Sequence, residues 1–225
     1  MEKAPTVIVG IDEAGRGPII GPLVMAALAF KEEDQQKLEW LGVKDSKLLS
    51  VETRGELFER IRELVHDFRI EVIEPDAIDL SLTDEGTNLN WLEADTTARL
   101  ISELDPDQAI VDCPSPNLQA YKEYLYERLS VAAQKKAKLV VEHKADVNHI
   151  VVSAASIIAK VIRDRHIDHL KAEIGIDFGS GYLHDPKTKD FLEKHHEQHA
   201  QLFRRKWQPY KDILEAKKQK RLGEF

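Results

Sequence analysis

The sequence predicts an α/β fold, a mixed β-sheet flanked by helices with a helical extension at the C-terminal end. Three observations predict it. Short β-branched apolar runs alternate with helical periodicity over roughly the first 150 residues. After about residue 150 only helical patterns remain. Carboxylates also stand where buried runs end, an arrangement that points to a site at strand termini.

Thr6 to Ile11 is apolar and β-branched and predicts a buried strand that stops at Asp12-Glu13. Gly15, Gly17, Pro18, Gly21 and Pro22 follow, so Ala14 to Pro22 predicts a tight turn or a bulged strand entry. Leu23 to Phe30 predicts a second buried strand. Ser50 is placed to cap a helix running to about His66. Phe68 to Glu74 alternates as a strand closed by Pro75, and Leu89 to Leu104 has helical spacing. Gln108 to Asp112 is a short buried strand stopped by Cys113-Pro114, Leu118 to Arg128 is helical, and Lys138 to Glu142 is strand-like. Val151 to Ile174 is the longest helical pattern and ends at Gly175. A glycine-containing loop spans Asp177 to Pro186, and helices are expected over Lys187 to His199 and Pro209 to Leu222. The domain reading is a mixed-sheet α/β part over 1–175 and a C-terminal helical region over 176–225.

The 225 residues are 42% hydrophobic and 32% charged, a composition that can build a core and argues against disorder. Cys113 is the single cysteine, which excludes an intramolecular disulfide and a cysteine-based zinc site. The longest uncharged run, Gly17 to Phe30, is too short to span a bilayer, and no secretory leader is read at the N-terminus, so a cytoplasmic location is expected. Net charge is −8, yet Phe203 to Phe225 carries eight Lys/Arg against three acids. That basic tail is either a phosphate-tracking surface or a solvated helix.

Asp12 and Glu13 close the first strand and Asp112 closes the strand Gln108 to Val111. Carboxylates directly after buried strands are costly unless a cation offsets them. If the two strands are neighbours, about 4.8 Å apart, Asp12 and Asp112 lie side by side. Hard divalent ions with oxygen ligands suit such a set, and two of them can clamp a phosphodiester. The bland alternative is a turn or N-cap aspartate at each position. Asp12 and Glu13 face opposite sides if the strand continues, and the following glycines offer a way to bring Glu13 round.

Gly10-Ile11-Asp12-Glu13-Ala14-Gly15-Arg16-Gly17-Pro18, Lys44-Asp45-Ser46-Lys47, Val111-Asp112, Lys144-Ala145-Asp146, Ser153 to Asp164, and Asp177-Phe178-Gly179-Ser180-Gly181-Tyr182 occur in that order. Together they resemble the motifs of ribonuclease HII, the type 2 ribonuclease H, in its archaeal style. The likeness runs from residue 7 to about 190. It implies a ribonuclease H-like sheet and an endonuclease that cuts RNA paired with DNA and incises 5′ of single ribonucleotides in duplex DNA, leaving 3′-hydroxyl and 5′-phosphate ends. It implies that Asp12, Glu13, Asp112 and Asp146 are catalytic ligands of two Mg²⁺ or Mn²⁺ ions. It further implies that Gly15, Arg16 and Gly17 contact the ribose 2′-hydroxyl through the backbone, that Tyr182 packs on the neighbouring sugar, and that Lys47 contacts phosphate. RNA/DNA hybrids and ribonucleotide-containing duplexes are the expected partners. A monomer is expected, and a replication-clamp partner is not readable from the sequence.

Several features keep a bland reading beside a functional one. Asp146 alone is a loop or helix-start aspartate. Lys160, Arg163 and Arg165 form either a solvated helix face or phosphate contacts. His195, His196 and His199 include an i, i+4 pair that could bind a transition metal or lie on a solvated helix. Trp207 and Tyr210 beside Arg204 to Lys206 are a satellite core or a strand contact. Ribonuclease HIII, which carries an extra N-terminal domain, is the nearest competing class, and the short stretch before Asp12 argues against it. A non-catalytic nucleic-acid binder of the same fold is the other.

Overall fold

The computed structural model describes residues 5–83 and 86–222, with side chains described up to residue 215. In chain order the elements are β1 Val7–Ala14, β2 Leu23–Lys31, α1 Gln35–Trp40, α2 Val51–Leu64, β3 Asp67–Ile73, α3 Pro75–Ser81, α4 Leu89–Leu104, β4 Gln108–Asp112, α5 Leu118–Arg128, α6 Val131–Lys136, β5 Lys138–Glu142, α7 Ala145–Asn148, α8 Ile150–Ile174, α9 Pro186–His195 and α10 Gln208–Leu222. The five strands form one sheet in the order β3-β2-β1-β4-β5. β1 runs antiparallel to β2 and parallel to β4, and β4 runs parallel to β5, so the sheet is mixed.

The chain divides into two compact units. The first holds Met1–Ala14, Val24–Val72 and Asn90–Ile162, and the second holds Gly15–Leu23, Ile73–Leu89 and Arg163–Phe225. Residues 176–225 thus share their unit with the last part of α8 and with two earlier segments.

In the first unit, strand alternation explains the core. Ile8 and Ala14 of β1, Val24, Ala26, Leu28 and Phe30 of β2 and Ile110 of β4 form one cluster with Val151 to Val161 of α8 and with Leu57, Phe58 and Ile61 of α2. The cross-strand register matches this face, pairing Ile8 with Phe30, Gly10 with Leu28, Asp12 with Ala26 and Ala14 with Val24. Even-numbered residues of β1 therefore look toward α8. Gly10 sits on that face where α8 begins. A Cβ there would stand 2.3 Å from the Val151 carbonyl carbon and oxygen and 2.6 Å from the Val152 nitrogen. β2 is buried along Leu23 to Phe30, which is why it reads as a continuous apolar run rather than an alternating one. Ser50 caps α2 by accepting from the Thr53 N–H, as the sequence predicts, and the helix ends at Leu64.

The second unit has its own core of Ile19, Ile20, Ile167, Phe178, Phe191, Leu192, Leu202, Phe203 and Tyr210. Ile20 and Phe203 form an isolated antiparallel bridge. Asp185 caps α9 and also accepts from the Ser180 N–H at 2.7 Å. α9 stops at His195 rather than His199, and a 3₁₀ turn at Ala200–Leu202 then carries Leu202 and Phe203 into the core. Four short helices escaped the sequence reading: α1, α3, α6 and α7. At four to seven residues each, they are too short to display a helical period. Pro75, read as a strand terminator, is the first residue of α3, a position that tolerates a missing N–H.

Candidate active site

β1 continues through Asp12 and Glu13 to Ala14, so the expected stop at Asp12-Glu13 is corrected. The reason is pairing: Asp12, Glu13 and Ala14 remain in register with Ala26, Met25 and Val24 of β2. The condition for bringing Asp12 beside Asp112 is met, because β1 and β4 are parallel neighbours in register up to Ile11 with Val111. Asp12 and Asp112 each follow that last pair, on the face shared with Ile8 and Ile110.

Asp12 is 6% exposed and Asp146 is 3% exposed. Asp146 lies in the first turn of α7, just after Lys144 in the left-handed conformation, so it is the helix-start aspartate of the bland reading and also a member of the acid cluster. Each of the three carboxylates is tied to a donor. Asp12 Oδ1 accepts from the Glu13 N–H at 2.7 Å. Asp112 Oδ1 accepts from the Ala145 N–H at 2.7 Å. Asp146 Oδ2 accepts from Lys47 Nζ at 3.1 Å.

Burial is the main force on these acids, and mutual repulsion adds to it. Burial pushes Asp12 from its ordinary 3.8 up to about 7, and the charges of Asp112 and Asp146 push the same way against a hydrogen bond from Ser156. Asp112 is also raised, again by burial first, with the Asp146 charge adding and Lys47 and His143 opposing. Burial lowers Lys47, but its hydrogen bond and attraction to Asp146, with Asp45 and Asp12, outweigh that and hold it above the usual lysine value. Lys47, expected as a phosphate contact, is thus also the cation beside Asp146.

Glu13 is not brought into this cluster. Alternation along the continuous strand sets it on the opposite face from Asp12. Its charge is felt by Cys113 and Tyr121, whose thiol and phenol are raised mainly by burial.

Ser156, inside the motif Ser153 to Asp164 and not among the predicted site residues, hydrogen-bonds Asp12 and shares a 2.9 Å hydroxyl contact with Ser46. The signal is its spacing: Ser156 lies about one turn beyond Val152, which meets Gly10, and so stays on the α8 face toward β1. His143 lies 3.2 Å from the Cys113 carbonyl oxygen through Nδ1.

Oxygen donors, burial and like-charge repulsion suit a hard divalent cation, and Lys47 already supplies positive charge at the cluster. Among the described residues, no three His, Cys, Asp or Glu side chains already form a cage ready to hold a metal ion.

The acid cluster has a stability consequence. A folded-state carboxyl raised above its unfolded value keeps a proton that the open chain has lost. The stability it contributes is present at low pH and is lost as pH rises from about 4 to about 7. In metal-free protein at pH 7.5, Asp12→Asn is therefore expected to raise stability by on the order of 2 kcal/mol, or about 4–8 °C in melting temperature, and to flatten the pH dependence between 5 and 7.5. A melting temperature lower by several degrees would mark Asp12 as a structural acid.

The second unit holds the other expected residues. Gly15 is buried, with φ +84°, while Arg16 is half-buried and Gly17 is exposed. Gly17 lies against Tyr182, where a Cβ would stand 3.3 Å from the ring Cε1. Gly181 accepts from the Ile19 N–H at 2.8 Å, which ties the two glycine loops together. Arg163 is 2% exposed, so it is neither a solvated helix residue nor a phosphate contact. Its guanidinium lies 5.5 Å from the Tyr182 ring centroid and donates to the Ser180 carbonyl at 2.8 Å. His195 and His199 pack on the Phe191 ring at 5.1 and 5.7 Å. In the basic tail, Arg204 is fully buried, which removes it from any phosphate-tracking surface. Arg205 pairs with Asp76 at 2.7 Å, and the side chains of Lys217, Lys218, Lys220 and Arg221 lie outside the described residues. Trp207 rests on the Arg204 guanidinium and Tyr210 on the Phe203 ring, which favours the satellite core. Among the described residues, no helix is long and apolar enough to cross a membrane.

Comparison with known proteins identifies the family of the chain. The family model for ribonuclease HII matches residues 9–210. The ribonuclease HII of Pyrococcus furiosus is 41% identical over 217 residues, covering 94% of this chain and 93% of the relative. The crystal structure of ribonuclease H2 from Pyrococcus horikoshii superposes with a TM-score of 0.83 at 36% identity, covering 94% of this chain and 98% of that one. The PCNA:RNase HII complex from Archaeoglobus fulgidus superposes with a TM-score of 0.79 at 38% identity, over 90% of this chain and 95% of that one. The mixed sheet flanked by helices is the ribonuclease H-like fold of these structures. With a family model spanning most of its length and these relatives over nearly all of it, the chain belongs to the ribonuclease HII family and is a ribonuclease H.

Proposed function

We propose that this enzyme hydrolyses the RNA strand of RNA/DNA hybrids and incises 5′ of single ribonucleotides in duplex DNA, leaving 3′-hydroxyl and 5′-phosphate ends. The observation that carries this reading is the meeting of Asp12, Asp112 and Asp146 at one end of the sheet, with Asp12 pushed up to about 7. Asp12, Asp112 and Asp146 would hold two Mg²⁺ or Mn²⁺ ions. Glu13, next along β1 and on its other face, is the fourth acid that the family likeness assigns to these ions. Divalent cations there supply Lewis-acid stabilisation of the reacting phosphodiester. Ser156 and the Ala145 N–H orient Asp12 and Asp112, and Lys47 offsets charge at Asp146 until substrate phosphate competes for it.

Substrate choice rests on Gly15-Arg16-Gly17 and Tyr182. Main-chain amides without a side chain in the way can approach a sugar closely, and the 2′-hydroxyl is the group that separates RNA from DNA. Tyr182, set against Gly17 and held from below by Arg163, offers an apolar face for the next sugar, where a deoxyribose fits best. One embedded ribonucleotide then suffices. The likeness to the Archaeoglobus complex supports a sliding clamp as a protein partner.

The experiment compares a DNA duplex holding one internal ribonucleotide with an all-RNA strand on DNA. The wild-type chain is expected to cut both. Tyr182→Ala is expected to lose about tenfold to a hundredfold on the first while melting within a few degrees of wild type, a loss on the scale of the roughly 1–3 kcal/mol that an aromatic ring contributes when stacked on a base. Cleavage of the second substrate alone, or indifference to Tyr182→Ala on the first, would contradict the junction reading.

A further inference from the structure

Arg204 was expected on a basic surface, yet it is a fully buried side chain in the second unit. Its guanidinium is spent on main-chain oxygens of the turn Gly15 to Gly21. Nη1 donates to the Arg16 carbonyl at 2.8 Å. Nη2 donates to the Gly15 carbonyl and to the Gly21 carbonyl, the latter at 3.0 Å, and Nε donates to Gly21 at 3.2 Å. The Arg204 N–H in turn donates to the Ile19 carbonyl at 3.0 Å, and the Trp207 ring lies 5.1 Å from the guanidinium carbon.

Peptide planarity turns these bonds into a directional device. In a trans peptide the carbonyl and the next N–H point opposite ways. Holding the Gly15 and Arg16 carbonyls toward Arg204 therefore turns the N–H groups of Arg16 and Gly17 away from it. A turn with two glycines among three residues has many other conformations to choose from, so this direction needs an outside restraint. Burying a guanidinium for stability alone is an inefficient use of the space, since apolar packing of similar volume is often as stable or more so. A lysine could not replace it, because one ammonium cannot span three carbonyls as a planar fork does.

We infer that Arg204 is a positioning residue for ribose recognition: it aims the Arg16 and Gly17 amides at the 2′-hydroxyl. This rests on the reading of Gly15-Arg16-Gly17 given above and adds the element that makes those amides specific.

The test measures affinity of the full chain in EDTA, where binding is read without cleavage, for an all-DNA duplex and for the same duplex with one ribonucleotide. Wild type is expected to prefer the ribonucleotide duplex. Arg204→Lys is expected to cut that preference about tenfold while its all-DNA affinity stays unchanged. A preference kept intact in Arg204→Lys, or an equal loss on both duplexes, would overturn the inference and leave the loop reading standing. Absence of any preference in wild type would overturn the loop reading, and the inference with it. Should Arg204→Lys lose its cooperative melting transition, Trp207→Leu, which only loosens the guanidinium, is judged by the same ratio. It is expected to move that ratio in the same direction by less, and an unmoved ratio overturns the inference.

Discussion

Replacing Asp12 or Asp112 by asparagine is expected to lower cleavage of an RNA/DNA hybrid by about a thousandfold. Divalent ions at a phosphodiester contribute several kcal/mol of charge stabilisation, and about 1.4 kcal/mol is a factor of ten in rate. An asparagine keeps the shape and one acceptor oxygen but removes the charge that holds the cation. For Asp12 the retained oxygen can still accept from the Glu13 N–H, and for Asp112 from the Ala145 N–H, so the local backbone is preserved. Duplex binding should survive in both variants, because it depends mostly on phosphate contacts. Single-turnover rates and affinities measured side by side check this. Near-normal turnover by either variant would remove that residue from the catalytic set.

The second large effect is on folding. Gly10→Ala is expected to cost about 3 kcal/mol or more, lowering the melting temperature by roughly 6–12 °C or abolishing soluble expression. The Cβ would enter the Val151 carbonyl and the Val152 nitrogen, and a backbone in the first turn of a 25-residue helix cannot step aside as a flexible side chain can. The damage would also reach chemistry. α8 carries Ser156, which hydrogen-bonds Asp12, so displacing the helix from β1 moves the acid cluster. A Gly10→Ala protein with wild-type melting and activity would show that β1 and α8 are less tightly apposed than described.

Much of the fold was legible because its signals are local. Leu89 to Leu104, Gln108 to Asp112, Leu118 to Arg128 and Lys138 to Glu142 show their period or their β-branched runs directly, and the structure keeps those bounds. Ser50 and Gly175 mark helix ends by side chain and by φ +71° respectively. The extension of β1 through Asp12 to Ala14 was not legible, because it depends on pairing with β2 rather than on the residues themselves. The pairing of Lys47 with Asp146 bridges positions far apart in the chain and has no local signature. The two buried arginines were misjudged for one reason. Charge in a sequence reads as surface, and only the tertiary arrangement of carbonyls around Arg204, or of Tyr182 and Ser180 around Arg163, offsets the burial. Strand adjacency, by contrast, was stated as a condition, and with β1 beside β4 it sets Asp12 and Asp112 at matching positions.

The central claim, that these acids cut RNA paired with DNA through divalent cations, is tested most directly by the ends of the product as Mg²⁺ is titrated from zero. The substrate is a DNA duplex with one internal ribonucleotide, labelled on the ribonucleotide strand. No product is expected without a divalent ion, and with Mg²⁺ a single cut 5′ of the ribonucleotide should leave a 3′-hydroxyl and a 5′-phosphate. Product formed in EDTA, or a 2′,3′-cyclic phosphate showing attack by the ribose's own 2′-hydroxyl, would contradict the claim.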